Sequence, residues 1–181
     1  MKATGMVRRI DDLGRVVVPK EIRKTLRIRE GAPLEIFTDR EGEIILKKYS
    51  PVGEISQFAK EYADSMAQTT GHMVCIVDHD QVVAIAGGAR KELLQKQISH
   101  ELEDAIHNRE NVIAELNDKN FRKITDADEE YQAEAIAPII SEGDAIGAVI
   151  LLTKDKKTHF TDGEMRLAKT AAVFLGKQVE S

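Results

Sequence analysis

Within its first 29 residues the chain places nine Lys and Arg against three Asp and Glu. Guanidinium and ammonium groups held at defined spacings can neutralise the phosphates of a nucleic acid and release its counterions. Arg8 and Arg9 fall on a strand-like stretch, so their side chains point to opposite faces and only one of them serves a given surface. Arg15 follows Gly14 after a tight bend, while Arg23 and Lys24 lie on a short helical stretch. By themselves these residues fit a solvated charged face as well as a phosphate grip.

Other groups with chemical potential are less organised. His100, Glu103, Asp104 and His107 share a stretch with helical spacing, but no HExxH pattern or fourth ligand completes a metal site. They read as a polar helix face, so no metal is expected. Cys75 is the single cysteine and sits in Met-Val-Cys-Ile-Val, where a buried core thiol is expected rather than a nucleophile. Gly87-Gly88 is not followed by the Gly-Lys-Ser/Thr of a phosphate loop. No residue reads as catalytic, no cofactor is expected, and the chain is not expected to be an enzyme.

The elements that must position the basic groups follow from charge and periodicity. Net charge is −5 overall, which taken whole argues against a polyanion partner. Residues 1–50, however, hold twelve basic to eight acidic residues, and residues 51–181 fourteen to twenty-three. The chain therefore divides into a basic head, 1–50, and an acidic body, 51–181. Ser50 can cap a helix that starts at Pro51, leaving almost no linker between the two. With one cysteine and no apolar run of about 20 residues, neither a disulfide framework nor a membrane-spanning helix is expected.

In the head, Met6–Ile10, Arg15–Val18, Leu34–Thr38 and Glu43–Lys48 read as strands, with a short helix from Pro19 to Leu26. Fifty residues with so few large side chains bury too little surface to be stable alone, so the head is expected to be an obligate dimer. The body reads as α/β. A helix spans 54–68, strands follow at Met73–Val77 and Val82–Ala86, and a long amphipathic helix runs through Leu93, Ile98, Leu102 and Ile106. Strands at Val112–Leu116, Gln132–Ile140 and Ile146–Thr153 precede a last helix that opens with a Thr161/Glu164 capping box and a Phe160/Met165 staple. The 3-4 steps of that helix (Met165, Ala168, Ala172, Leu175) and of the first suggest that both pack against copies of themselves.

The run KATGMVRRIDDLGRVVVPKEIRKTLRIREGAPLEIF closely resembles the N-terminal domain of AbrB-type transition-state regulators, through Thr4-Gly5, Arg8, Asp12-Leu13-Gly14-Arg15, Val16–Pro19, Ile22-Arg23 and Leu34-Glu35-Ile36. The resemblance implies a swapped-hairpin, β-rich dimer that binds double-stranded DNA, with Arg8, Arg15, Arg23 and Lys24 facing the duplex. Lys24 stands where arginine is common in that family, and keeps the charge but not the bidentate fork. The element order of the body is similar to a GAF domain. A head and body of these kinds resemble the regulators of late spore development. That resemblance implies an α+β chain forming homotetramers through its GAF-like domain, with a small-molecule ligand of unknown identity possible there. It also implies a cytoplasmic, nucleoid-associated location in the forespore. Two other readings stand beside it: an antitoxin-like protein-binding module, since related heads occur in antitoxins, and a metabolite sensor with no role on DNA.

Overall fold

A computed structural model describes residues 5–88, 93–126 and 131–180. The chain separates into two compact units, Met1–Tyr49 and Ser50–Ser181.

In the first unit, α1 (Lys20–Thr25) starts after Pro19, and β1 (Leu34–Thr38) pairs antiparallel with β2 (Ile44–Lys48). The Asp39 carboxylate closes their turn by accepting from the Glu41 and Glu43 amides at 3.0 and 2.8 Å. The stretches 6–10 and 15–18, expected as strands, carry no ladder. A strand persists only where a neighbour takes its N–H and C=O groups. Within one chain these two arms are joined at their bend, where the Asp11 amide donates to the Arg15 carbonyl.

The second unit opens with Ser50, whose hydroxyl accepts from the Gly53 amide at 2.9 Å and donates to Asp78 at 2.6 Å. The cap at Ser50-Pro51 is thus present, but α2 (Pro51–Glu54) is a single turn, and α3 (Ser56–Thr70) begins only after Ile55. A five-stranded antiparallel sheet follows in the order β4-β3-β7-β6-β5. Its strands are β3 (Met73–Val77), β4 (Val82–Ala86), β5 (Val112–Glu115), β6 (Ala133–Ser141) and β7 (Asp144–Thr153). Glu142 and Gly143, both at positive φ, make the tight turn from β6 to β7.

Both sheet faces are covered, which is why the strands read as unbroken apolar runs. Val74, Ile76, Val149 and Leu151 face α3 and the C-terminal helix α5 (Asp162–Val179). Cys75, Val77, Ile150 and Leu152 face α4 (His100–His107) and the loops around it.

Two further expectations, both in the body, need correction. The long helix through Leu93 and Ile98 is not continuous. Gln95 has φ 62°, Ile98 bridges Thr125, and Ser99 caps α4 by accepting from the Leu102 amide. Leu93, Ile98, Leu102 and Ile106 still reach one core, so their spacing mimicked a single helix. The 3-4 seam of α5 is likewise not free for another copy: Met165, Ala168, Ala172 and Leu175 are buried against the chain's own sheet. The capping box is present, with Glu164 accepting from the Thr161 amide at 2.7 Å, and Phe160 and Met165 enter the same core.

Gly176 lets α5 approach β6, since a Cβ there would collide with the Ile140 carbonyl oxygen. Backbone cannot give way as a flexible side chain can. Gly176→Ala should therefore lower stability by about 1–3 kcal/mol in urea melts, despite alanine's better helix propensity.

Candidate nucleic-acid interface

The head's bend is built by one carboxylate. Asp11 Oδ1 accepts from the Leu13 amide at 3.0 Å and the Arg15 amide at 2.8 Å. Asp11 Oδ2 takes the Arg15 Nε at 2.8 Å, and the Gly14 amide donates to the Asp11 carbonyl. Gly14, at φ 77°, supplies the left-handed residue this turn requires. Hydrogen bonds from the Arg15 amide and then its side chain hold the Asp11 carboxyl below the usual range. Sequence reasoning singled out Arg15 and passed over Asp11. The signal was there in an Asp followed three residues later by Gly.

Arg8 lies on the arm before the bend, exposed, its Nη1 reaching only the neighbouring Val7 carbonyl at 3.3 Å. Arg23 and Lys24 are adjacent on α1, with Arg23 half-buried and Lys24 exposed. Arg8 thus lies on the arm before the bend, Arg15 is seated on Asp11 at the bend, and Arg23 and Lys24 share α1. Around them the apolar residues are uncovered: Val7 is 86% exposed, Val17 70%, Leu13 70% and Ile36 67%. Among the described residues, Pro19 is the one buried position before Val52.

The polar groups of the body are arranged differently. His100 meets Glu103 at 3.4 Å, whereas Asp104 and His107 are exposed on α4. Among the described residues, the one group of potential metal ligands that converges is Asp39, Glu41 and Glu43 on the β1–β2 turn, fully exposed. Cys75 is completely buried, and burial pushes its thiol up to about 12. A cavity of about 320 Å³ is lined by Glu101, Asp104, Asn108, Lys119 and Phe121, among others. Arg122 also lines it, and the Arg122 amide donates to the fully buried Glu134 at 2.6 Å. Burial raises the Glu134 carboxyl from 4.5 to about 8, opposed by the Arg122 hydrogen bond and charge and helped by Glu101. Among the described residues its Oε2 has no hydrogen-bond partner.

Comparison with known proteins places these features. Residues 54–180 match the family described as stage V sporulation protein T C-terminal, transcription factor. Residues 7–54 match the MazE antidote-toxin recognition family of bacterial antitoxins. The chain is 51% identical to stage V sporulation protein T of Bacillus subtilis (strain 168) over 99% of both chains. To the transition state regulatory protein AbrB of the same organism it is 40% identical, covering 60% of this chain and 92% of the relative. The body shares its fold with the GAF domain of an Acinetobacter phosphoenolpyruvate-protein phosphotransferase, at a TM-score of 0.56 and 14% identity over 74% of this chain and 84% of that one.

An AbrB-type head followed by a GAF-fold body defines a transcription regulator of mixed α and β structure. The chain belongs to the stage V sporulation protein T family of transcription factors.

Glu134 makes the stability of the body depend on pH. Between pH 4.5 and about 8 the folded carboxyl keeps a proton that the unfolded chain has lost. Stability should therefore fall as pH rises through that window, by up to about 1.4 kcal/mol per pH unit. Glu134→Gln should flatten that slope in urea melts taken at several pH values.

Proposed function

We propose that the chain regulates sporulation genes by binding double-stranded DNA through a homodimeric head, with Arg8, Arg15, Arg23 and Lys24 of each copy facing the duplex. The observation that carries this reading is the head's missing core. Its basic groups are mounted on a scaffold whose apolar side chains stay in water unless a second copy covers them. A cavity of about 250 Å³ lined by Met6, Ile22, Thr25 and Leu26 shows where part of that surface opens. Two copies would double the basic set along one duplex.

The division at residue 50 follows the same logic, with 1–50 as the DNA-binding part and 51–181 as the assembly part. On the body, α5 leaves Leu167, Val173 and Phe174 exposed, and Phe174 lies 5.3 Å from Tyr62 and 5.6 Å from Phe58 of α3. This aromatic face, rather than the buried seam, is the surface by which dimers would join into tetramers. A metabolite could enter the cavity bounded by Arg122. With Cys75 buried and its thiolate strongly disfavoured, no redox or nucleophilic role is assigned to it. The working location is the forespore cytoplasm, on the nucleoid. Among the described residues no helix is long and apolar enough to cross a membrane.

The match of residues 7–54 to antitoxins favours a second reading, a protein-binding head. Limited proteolysis separates it from the first only in part, because a resistant body disfavours just the form with a disordered toxin-binding tail. Salt dependence is the sharper test. With three or four groups per chain on phosphates, the slope of log affinity against log salt should lie between about −5 and −7. A slope near −2 contradicts the multi-arginine grip. Phe174→Asp should reduce the assembly from tetramer to dimer in light scattering with the far-ultraviolet circular dichroism unchanged.

A further inference from the structure

The four basic residues of the head are not equivalent. Among the described residues, Arg15 alone of them has its guanidinium seated on a carboxylate, and the contact is made through Nε. The Arg15 side chain remains 69% exposed. Asp11 is itself fixed by two further bonds to the bend, from the Leu13 and Arg15 amides. The guanidinium is therefore held along one edge, and its two terminal nitrogens form a free fork directed away from that edge.

This arrangement suits a particular target. A phosphate is attracted chiefly by charge, and a carboxylate beside the arginine cancels much of that charge. A guanine presents O6 and N7 side by side in the major groove, where a planar fork makes two hydrogen bonds and orientation decides their quality. Holding the fork in place beforehand removes ordering cost from the binding step. Arg8 and Lys24 have no such support and suit phosphates.

We infer that Asp11 is a positioning residue that sets Arg15 to read the O6/N7 edge of a guanine in the major groove. The inference rests on the proposal that the head binds DNA, and it turns one of the four cations from a phosphate contact into a base contact.

The test uses the full chain and two duplexes, one enriched by the wild type from a random-sequence pool and one scrambled from it. Asp11→Asn keeps an oxygen for the bend amides, removes a negative charge and loses the Nε contact. Charge alone predicts tighter binding to both duplexes by the same factor. Positioning predicts that the ratio of selected to scrambled affinity falls about tenfold, with scrambled affinity held or raised. Arg15→Lys, which keeps the charge without the fork, should lose the same ratio, and the double variant should lose no more than either single one. In the selected duplex, one guanine should exist whose replacement by 7-deazaguanine weakens the wild type but leaves Arg15→Lys unaffected.

An equal change on both duplexes in Asp11→Asn would overturn the inference, whichever its direction. Should that variant fail to fold, Arg15→Lys retaining the full ratio and the 7-deazaguanine effect would overturn it equally. The DNA-binding reading fails separately: Arg15→Ala, Arg23→Ala and Arg8→Ala would all leave affinity for both duplexes unchanged.

Discussion

The head carries its apolar side chains on a single β-hairpin, one short helix and two arms that have no strand neighbour. Val7, Val16, Val17 and Ile36 remain more than half exposed in one chain, and the arms on either side of Asp11 are hydrogen-bonded at their bend, from the Asp11 amide to the Arg15 carbonyl. Leaving that much hydrocarbon in water forfeits roughly 25 cal/mol for each Å² that could be covered. Among the described residues the arms also join no ladder, which leaves them a ready template for another strand. Both deficits are met at once when a second copy supplies strands and side chains to the same surface. Folding and association then become one event, and the cations carried on the arms come into register because the arms do.

The body satisfies itself. Its five strands are covered on both faces, and the small residues of α3 and α5, including Ala59, Ala63, Ala168 and Ala172, let the two helices lie close on the sheet. What is left over is an aromatic strip at Phe58, Tyr62 and Phe174. The spacing of the α5 seam announced a packing helix correctly but not its partner, because a 3-4 step serves a sheet as readily as another helix. Ser50 shows how firmly the body begins. Its hydroxyl is held by buried Asp78, whose other oxygen accepts from the Asp80 and Gln81 amides, so the first residue of the body is anchored to the β3–β4 turn.

Much of this was legible in the residues because it is local. Thr161 and Glu164 marked the start of α5, and the basic head was separable from the acidic body by charge. The broken stretch from Leu93 to Ile106 was not legible. Its apolar residues obey a helical period because they share a core, while the interruption depends on a positive φ at Gln95 and a bridge to Thr125, more than twenty residues from Ile98. Glu134 was hidden for the same reason: it is buried on β6 and accepts from the Arg122 amide, a contact between separate segments of the chain. Arg8, Arg15, Arg23 and Lys24 could be named as candidates from their resemblance to a family, whereas the Asp11 carboxylate that holds Arg15 emerged only with the geometry of the bend. The arms read as strands from their valines and isoleucines, yet among the described residues of one chain they join no ladder.

The most direct measurement of that dependence is hydrogen exchange on the intact protein at concentrations where it is assembled. If a second copy completes the head, amides in 6–10 and 15–18 should exchange as slowly as those of β1 and β2, and dilution toward single chains should release all of them together. Exchange in those arms at the rate of an unstructured peptide, in the assembled protein, would contradict the account.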